Sequence, residues 1–171
     1  MGTTEDLQNK AAIDKIKELI EATAICLFAT KLTQVPISAR PMSTSQVDDQ
    51  GHIWFFSKND SDKNLHIEED DQVQLFYSNN SSSEYLSLYG HAEILHDRSK
   101  IEELWSPIVK AWFTEGKDDP SITLLKITPK EGYYWDTKNG KVISLIKIAL
   151  SAASGKNTNI GIEGKVKNMG V

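Results

Sequence analysis

Segments rich in β-branched and aromatic residues follow one another along most of the chain, and few helical segments lie between them. Residues of these types are typical of strands, because they pack well on a pleated surface. A doubly wound parallel sheet needs strand and helix to alternate, and this sequence lacks that alternation. The order therefore predicts a mainly β, α+β fold, a small antiparallel barrel of six or seven strands with peripheral helices.

Local patterns assign several of these elements. Apolar residues at helical spacing predict an amphipathic helix over residues 9–21. Residues 23–30, TAICLFAT, are almost all apolar, which predicts a strand buried on both faces. Gly90 lies inside an alternating strand over residues 85–95 and predicts a bulge. Short helices are predicted to begin at Ser61 or Asp62, at Asp97 and at Pro107.

The length of 171 residues favours a single domain. We place this domain at residues 1–150 and interpret residues 141–150 as a strand followed by a helix. The remaining residues, 151–171, are rich in Gly, Asn and Lys. This composition predicts a C-terminal tail that is mobile or packs on a partner.

Charge and cysteine content exclude several functional classes. The net charge of −5 argues against a nucleic-acid binder and against an anionic membrane surface as partner. No apolar run is long enough for a membrane span. A single cysteine, Cys26, permits no internal disulfide and favours a cytoplasmic location.

No catalytic side chain and no metal site is predicted. The four histidines lack any known ligand spacing. The acidic runs at 68–71 and 117–119 are better explained as solvated ends of elements than as a Mg²⁺ site. Cys26 lies in an apolar strand, where burial raises the pKa of a thiol and makes it a poor nucleophile.

The segment from residue 40 to residue 63 is the best candidate for a binding site. Arg40, one of only two arginines, precedes a proline that holds it in extended backbone. An aromatic strand then ends at Phe56 and Ser57, and Lys63 lies near a helix N-terminus. Such cations bind phosphate, which suggests a phosphorylated aromatic cofactor, with FMN as the leading candidate. The same residues are explained equally well if Arg40 forms a structural salt bridge with a carboxylate and Lys63 is simply solvated.

Several motifs in a fixed order resemble one known family: ARPMS at 39–43, GHIWFFSKNDSDK at 51–63, YLSLYGHAEIL at 85–95, LWSPIVKAWFTEGKDDPSITLLKITP at 104–129 and YYWD at 133–136. Together they resemble the pyridoxamine 5′-phosphate oxidase-like split-barrel flavoproteins, most closely the general stress protein 26 branch. The resemblance covers residues 8–150. It implies a six-stranded split barrel, a homodimer, and FMN bound at the subunit interface.

The resemblance also implies roles for individual residues. Arg40 and Lys63 correspond to cofactor- and phosphate-binding cations, and Met42 and Ser43 to strand residues beside the flavin ring. Phe56 and Ser57 correspond to a Tyr-Thr pair at the end of the next strand. Tyr85, Ser87 and Trp135 correspond to residues that reach the cofactor from the other subunit.

Departures from the oxidase pattern argue against oxidation of pyridoxamine phosphate. Ser45 and Asp62 stand where the oxidases have a lysine and an arginine, and Lys141 and Ile143 stand where they have an Arg-x-His pair. The resemblance therefore implies an FMN-dependent oxidoreductase of the stress-protein type. The alternative is a sensor or carrier that binds a flavin, a deazaflavin or haem without turnover.

Overall fold

The computed structural model describes residues 3–4, 7–137 and 162–167. These residues form four α-helices, a short 3₁₀ helix at Gly116–Asp118 and ten strands. The helices are α1 Asn9–Glu21, α2 Asp62–Glu69, α3 Arg98–Leu104 and α4 Pro107–Lys110. The strands are β1 Thr3–Thr4, β2 Leu7–Gln8, β3 Ile25–Thr30, β4 Ser38–Ser43, β5 Gln46–Val47, β6 Ile53–Lys58, β7 Gln72–Asn79, β8 Glu84–Leu95, β9 Ile122–Asp136 and β10 Ile162–Lys167. None of the described helices is both long and apolar enough to cross a membrane.

The strands form the predicted split barrel. Antiparallel pairing runs in the order β4-β3-β7-β8-β9-β6. Strand β5 follows β4 after two residues and pairs with β6, so the segment β4–β5 brings the two ends of this order together. The count of ten exceeds the predicted six or seven because four of the strands are short additions or belong to the terminal segments. Residues 122–136 form one continuous strand.

Helix α1, which has the bounds that the sequence predicted, closes one side of the barrel. Its apolar stripe, which includes Ile16 and Ile20, is buried in the main core with Phe28 and Phe55. Gly51 lies under this helix with a φ of +87°, and a Cβ atom there would lie 2.9 Å from Ile13. The tight turn before β6 therefore needs glycine both for its backbone conformation and for the approach of the helix.

The prediction that β3 is buried on both faces is wrong. Cys26 and Phe28 point into the core, but Ile25 and Leu27 are 58% and 52% exposed. The barrel has its core on one side of the sheet, so alternate residues of β3 point outward even though nearly all of them are apolar. We call the exposed residues Ile25, Leu27, Phe76, Tyr85 and Trp135 the outer face.

Helices α3 and α4 build a second, smaller core outside the barrel. Asp97 accepts a hydrogen bond from the backbone N–H of Lys100 and caps α3, as predicted. The buried members of this core are Trp54, Ile101, Val109, Phe113, Ile122 and Leu124. Phe113 is thus buried within its own chain. The segment from α3 to α4 is thereby fixed against β6 and β9.

The bulge predicted at Gly90 is present. The register between β8 and β9 shifts between Tyr89 and Gly90. A Cβ atom on Gly90 would lie 2.5 Å from the carbonyl oxygen of Thr128, so no larger residue fits without a shift of the backbone.

Part of the predicted tail belongs to the same sheet. Strand β10, at Ile162–Lys167, pairs antiparallel with β9 and parallel with β1 and β2. Residues 141–150, including Lys141 and Ile143, lie outside the described residues. The domain boundary at residue 150 therefore stays a prediction.

Candidate functional site

A cleft of about 620 Å³ lies at the open edge of the barrel. Strand β4 and the following residues, the end of β6 with the start of α2, and the segment from α3 through residue 113 supply its walls. It is large enough for a cofactor, since ligand sites commonly enclose ~300–1,000 Å³. Six of the nine residues predicted to bind a cofactor line it: Arg40, Met42, Ser43, Phe56, Ser57 and Lys63.

Arg40 is held by its own sheet with part of its guanidinium unused. Nη1 donates to the carbonyl oxygen of Phe28 at 3.2 Å and to Thr30 Oγ1 at 2.9 Å, and Nη2 donates to Ser38 Oγ at 2.6 Å. A guanidinium has five N–H donors, so Nε and the second proton of Nη2 have no partner among the described residues. Arg40 forms no salt bridge with a described carboxylate, so the structural ion pair that the sequence left open is not present in this part of the chain.

Lys63 adds a second cation next to Arg40. Burial lowers the pKa of Lys63, and the positive charges of Arg40 and Lys58 lower it further, whereas Asp60 and Asp62 act in the opposite direction. Burial also lowers the pKa of Arg40. Cations that repel one another in a partly desolvated cleft favour an anionic ligand, because its charge relieves the repulsion.

A buried polar network fixes the turn that carries Lys63. Asn64, which is 1% exposed, accepts from Ser57 Oγ at 2.5 Å and donates from Nδ2 to Thr123 Oγ1 at 3.0 Å. Thr123 donates in turn to the carbonyl oxygen of Ser57 at 3.1 Å. Ser61, which precedes α2, donates to the carbonyl oxygen of Lys58 at 2.7 Å. The hydroxyl proton of Ser57 is therefore used inside the protein, and only its lone pairs remain for a ligand.

No local sequence pattern pointed to Asn64 or Thr123. Their roles follow from a contact between residues that lie 59 positions apart. Asn64 itself comes directly after the predicted phosphate-binding lysine, but a polar residue in the first turn of a helix is ordinary.

The third wall of the cleft is apolar. Its lining residues are Leu104, Ser106, Ile108, Val109, Trp112 and Phe113, which we call the 104–113 wall. Phe56 joins the β6 side to this wall, with its ring centroid 6.0 Å from Trp105 and 6.1 Å from Phe113. The sequence predicted α4 but did not connect it to the site, because only the tertiary fold brings residues 104–113 next to β4 and α2.

The remaining three predicted site residues lie elsewhere. Tyr85 pairs with Trp135 across β8 and β9, and Ser87 pairs with Tyr133. Their side chains point to the outer side of the sheet, the side opposite the core, and none of the three lines the cleft. Within one chain the structure therefore does not bring them to Arg40 and Lys63, and their action from another subunit stays a prediction.

Neither thiol nor metal chemistry is favoured by the described residues. Burial raises the pKa of the Cys26 thiol to about 12, so this group stays protonated as the sequence predicted. No cluster of three or more His, Cys, Asp or Glu side chains with metal-binding geometry occurs in residues 7–137.

Comparison with protein families gives a match over most of the chain. Residues 11–159 match the family model described as pyridoxamine 5′-phosphate oxidase like. The chain belongs to this family. Members of the family that have been solved share the fold of the split barrel described above.

Two solved structures illustrate the similarity. A protein assigned as general stress protein 26 from Jannaschia sp. CCS1 is 27% identical, with a TM-score of 0.75 over 93% of this chain and 99% of that one. The general stress FMN/FAD binding protein from Xanthomonas citri is 24% identical, with a TM-score of 0.66 over 77% of this chain and 92% of that one. At this identity the second comparison shows the fold alone.

A curated relative is more distant. Protein bli-3 of Neurospora crassa is 21% identical over 116 residues, which are 63% of this chain and 56% of bli-3. The chain thus spans little more than half the length of that relative.

Proposed function

We propose that the protein binds FMN in the cleft, as a homodimer, and acts as an oxidoreductase that uses the bound flavin. The observation that carries this proposal is the pairing of Arg40 and Lys63. Both are partly buried, both have a lowered pKa, and Arg40 has donors that no described residue uses. An arrangement of this kind is costly without an anion and suits a phosphate group.

The residues of the cleft fit the other parts of the cofactor as well. Met42 and Ser43 line the cleft from the edge strand β4, where backbone groups are available to the polar edge of a ring. Phe56 offers an aromatic surface beside them. A flavin supplies the electron-transfer chemistry when bound, and the protein then has to bind it, orient it and exclude water.

The homodimer is proposed from the outer face. Leu27 and Phe76 are direct cross-strand neighbours, as are Tyr85 and Trp135, and all four are substantially exposed. Contiguous apolar surface of this kind marks an interaction site. A second copy of the chain that covers this face would bring its Tyr85, Ser87 and Trp135 to the site, in the roles that the family resemblance implies.

The similar proteins support the binding of a flavin, but they indicate no substrate. The Xanthomonas citri neighbour is described as an FMN/FAD binding protein, which agrees with the cationic cleft. The described lining residues include no histidine, the side chain that most often serves as a general acid or base. Turnover therefore depends on the flavin itself, and a non-catalytic flavin carrier is the competing function. A cytoplasmic location completes the proposal.

The test is a titration of the full-length protein with FMN, followed by gel filtration and an absorption spectrum. We expect a yellow protein that retains one FMN per chain and binds riboflavin more weakly, because riboflavin lacks the phosphate. A protein that retains no FMN would refute the proposal.

Anaerobic addition of NADH or NADPH then separates the two functions. Bleaching of the flavin band followed by reoxidation with a dye indicates an oxidoreductase, and no bleaching with either nucleotide indicates a carrier.

A further inference from the structure

Two large apolar side chains of the 104–113 wall are exposed although they line the cleft. Ile108 is 70% exposed and Trp112 is 72% exposed. Their neighbours Val109 and Phe113 point into the second core, so the backbone of this wall is fixed while Ile108 and Trp112 stay available. Apolar and aromatic side chains presented in a cleft are typical of small-molecule sites.

Charge is segregated in the cleft. Its cations, Arg40, Lys58 and Lys63, come from β4, β6 and α2, and they are close enough that Arg40 and Lys58 both lower the pKa of Lys63. The 104–113 wall contributes no charged lining residue, and Ser106 is its only polar one. An anionic group that faced this wall would lose water without gaining a partner, whereas an uncharged ring would lose little.

We propose that the 104–113 wall is a subsite for a planar, uncharged ring, such as a quinone, that binds beside the flavin. The inference rests on the proposed function, because the FMN phosphate takes the cations and leaves this wall to the second ligand. Trp112 offers a face for offset stacking, and Ile108 packs against the same ligand from one turn earlier. The wall thus selects an apolar electron partner over a phosphorylated one.

The experiment uses the full chain loaded with FMN and measures ligand binding by equilibrium dialysis. The ligands are 2-methyl-1,4-naphthoquinone, which is uncharged, 1,4-naphthoquinone-2-sulfonate, which is a charged planar analogue, and pyridoxal 5′-phosphate. We expect the uncharged quinone to bind about tenfold more tightly than either anion, because burial of an unpaired charge is costly.

Variants of the wall identify the subsite. The double substitution Ile108→Ala with Trp112→Ala should weaken quinone binding about tenfold or more, because it removes most of the apolar contact surface. Trp112→Phe should retain most of the affinity, since it keeps an aromatic face. Lys110→Ala, on the same helix but outside the cleft lining, is the matched control and should leave quinone binding unchanged. The affinity for FMN should be the same in all four proteins.

Each other outcome overturns the inference. If FMN binds but the quinone binds no better than its sulfonate, or binds equally to the double variant, the wall is not its site and the proposed function stands. If the double variant sediments as a monomer, the wall is a contact between subunits instead. If the wild-type chain retains no FMN, both the inference and the proposed function fail.

Discussion

The cleft and the outer face are built on the same sheet, and they differ in what they lack. The cleft has cations and hydrogen-bond donors in excess of their partners within the described chain, with Arg40 and Lys63 at its centre. The outer face has apolar rings in excess, with Phe76 and Trp135 exposed. The first surface is suited to an anion and the second to another apolar surface.

The difference between the two surfaces fits the proposed homodimer, in which each chain carries two parts of a site that it does not complete alone. Arg40 and Met42 pair with Phe28 and Cys26 on β3, so their side chains share the core side of the sheet. Ser87 pairs with Phe76, and both point outward. Tyr85, Ser87 and Trp135 do not line the cleft of their own chain, and the proposed homodimer would bring them to the cleft of the partner.

The largest expected effect comes from placing charge on the outer face. Leu27→Glu should convert the proposed dimer to a monomer and abolish FMN binding together, because a buried unpaired carboxylate costs several kcal/mol and the proposed interface would supply part of the site. Analytical ultracentrifugation and flavin absorbance of the same samples measure both effects. The monomeric variant should still unfold cooperatively on heating, since Leu27 is exposed within its own chain.

Val35→Glu is the control for this prediction, because Val35 is exposed but lies in the turn before β4, away from the outer face. It should leave mass and flavin content unchanged. A monomeric Leu27→Glu protein that still binds FMN with wild-type affinity would show that the cleft is complete in one chain.

Removing a cation from the cleft should have the next largest effect. Arg40→Ala and Lys63→Gln should each weaken FMN binding by about 1.5–3 kcal/mol, which is the typical contribution of a hydrogen bond to a charged group. Lys63→Gln is the sharper of the two, because no described residue bonds to its ammonium, whereas Arg40 also holds Phe28, Thr30 and Ser38. Fluorescence titration with FMN gives the dissociation constants.

Binding of riboflavin, which lacks the phosphate, distinguishes the loss of a phosphate contact from a general change in the shape of the cleft. The affinity for riboflavin should be nearly the same in Lys63→Gln and in the wild type. Equal losses for FMN and riboflavin would remove Lys63 from the phosphate site.

The two surfaces also differ in how far the sequence predicted them. Patterns of period 2 and 3.6 predicted the barrel and α1, and residue types predicted the cap at Asp97 and the bulge at Gly90, because these depend on local sequence. The exposure of Ile25 and Leu27 was not predicted, because an apolar strand looks the same whether its outer side meets a helix or another molecule. The 104–113 wall was missed for a related reason: nothing local links a short helix to a strand sixty residues earlier.

A smaller effect is expected from the buried network beneath Lys63. Asn64→Leu should lower the free energy of unfolding by about 1–3 kcal/mol, because Ser57 and Thr123 each lose a partner in a buried place. If Asn64 positions the turn, FMN binding should weaken while riboflavin binding and the dimer persist. Denaturant unfolding and the two titrations provide these values.

Gln72→Leu is a suitable comparison for the network, since its amide bonds only to the partly buried Asp70 and Tyr89, neither of which lines the cleft. Gln72→Leu should lower the free energy of unfolding less than Asn64→Leu does, and it should leave the ratio of FMN to riboflavin affinity unchanged. An unchanged ratio in Asn64→Leu as well would limit Asn64 to a structural role.

The smallest effect concerns the free energy of unfolding at low pH. Burial raises the pKa of Asp48, but hydrogen bonds from Trp54 Nε1 at 2.9 Å and from the backbone N–H and ring of His52 outweigh it, so the pKa is lowered overall. A carboxyl group whose pKa is lower in the folded state stabilises the fold fully above its ordinary pKa of ~3.9 and loses that contribution as the pH falls further. Because Trp54 supports the second core, Asp48→Asn should lower the free energy of unfolding at pH 7 by about 1 kcal/mol and flatten its decline below pH ~4. Unfolding in urea between pH 3 and pH 7 measures the difference, and an Asp48→Asn curve parallel to that of the wild type would contradict it.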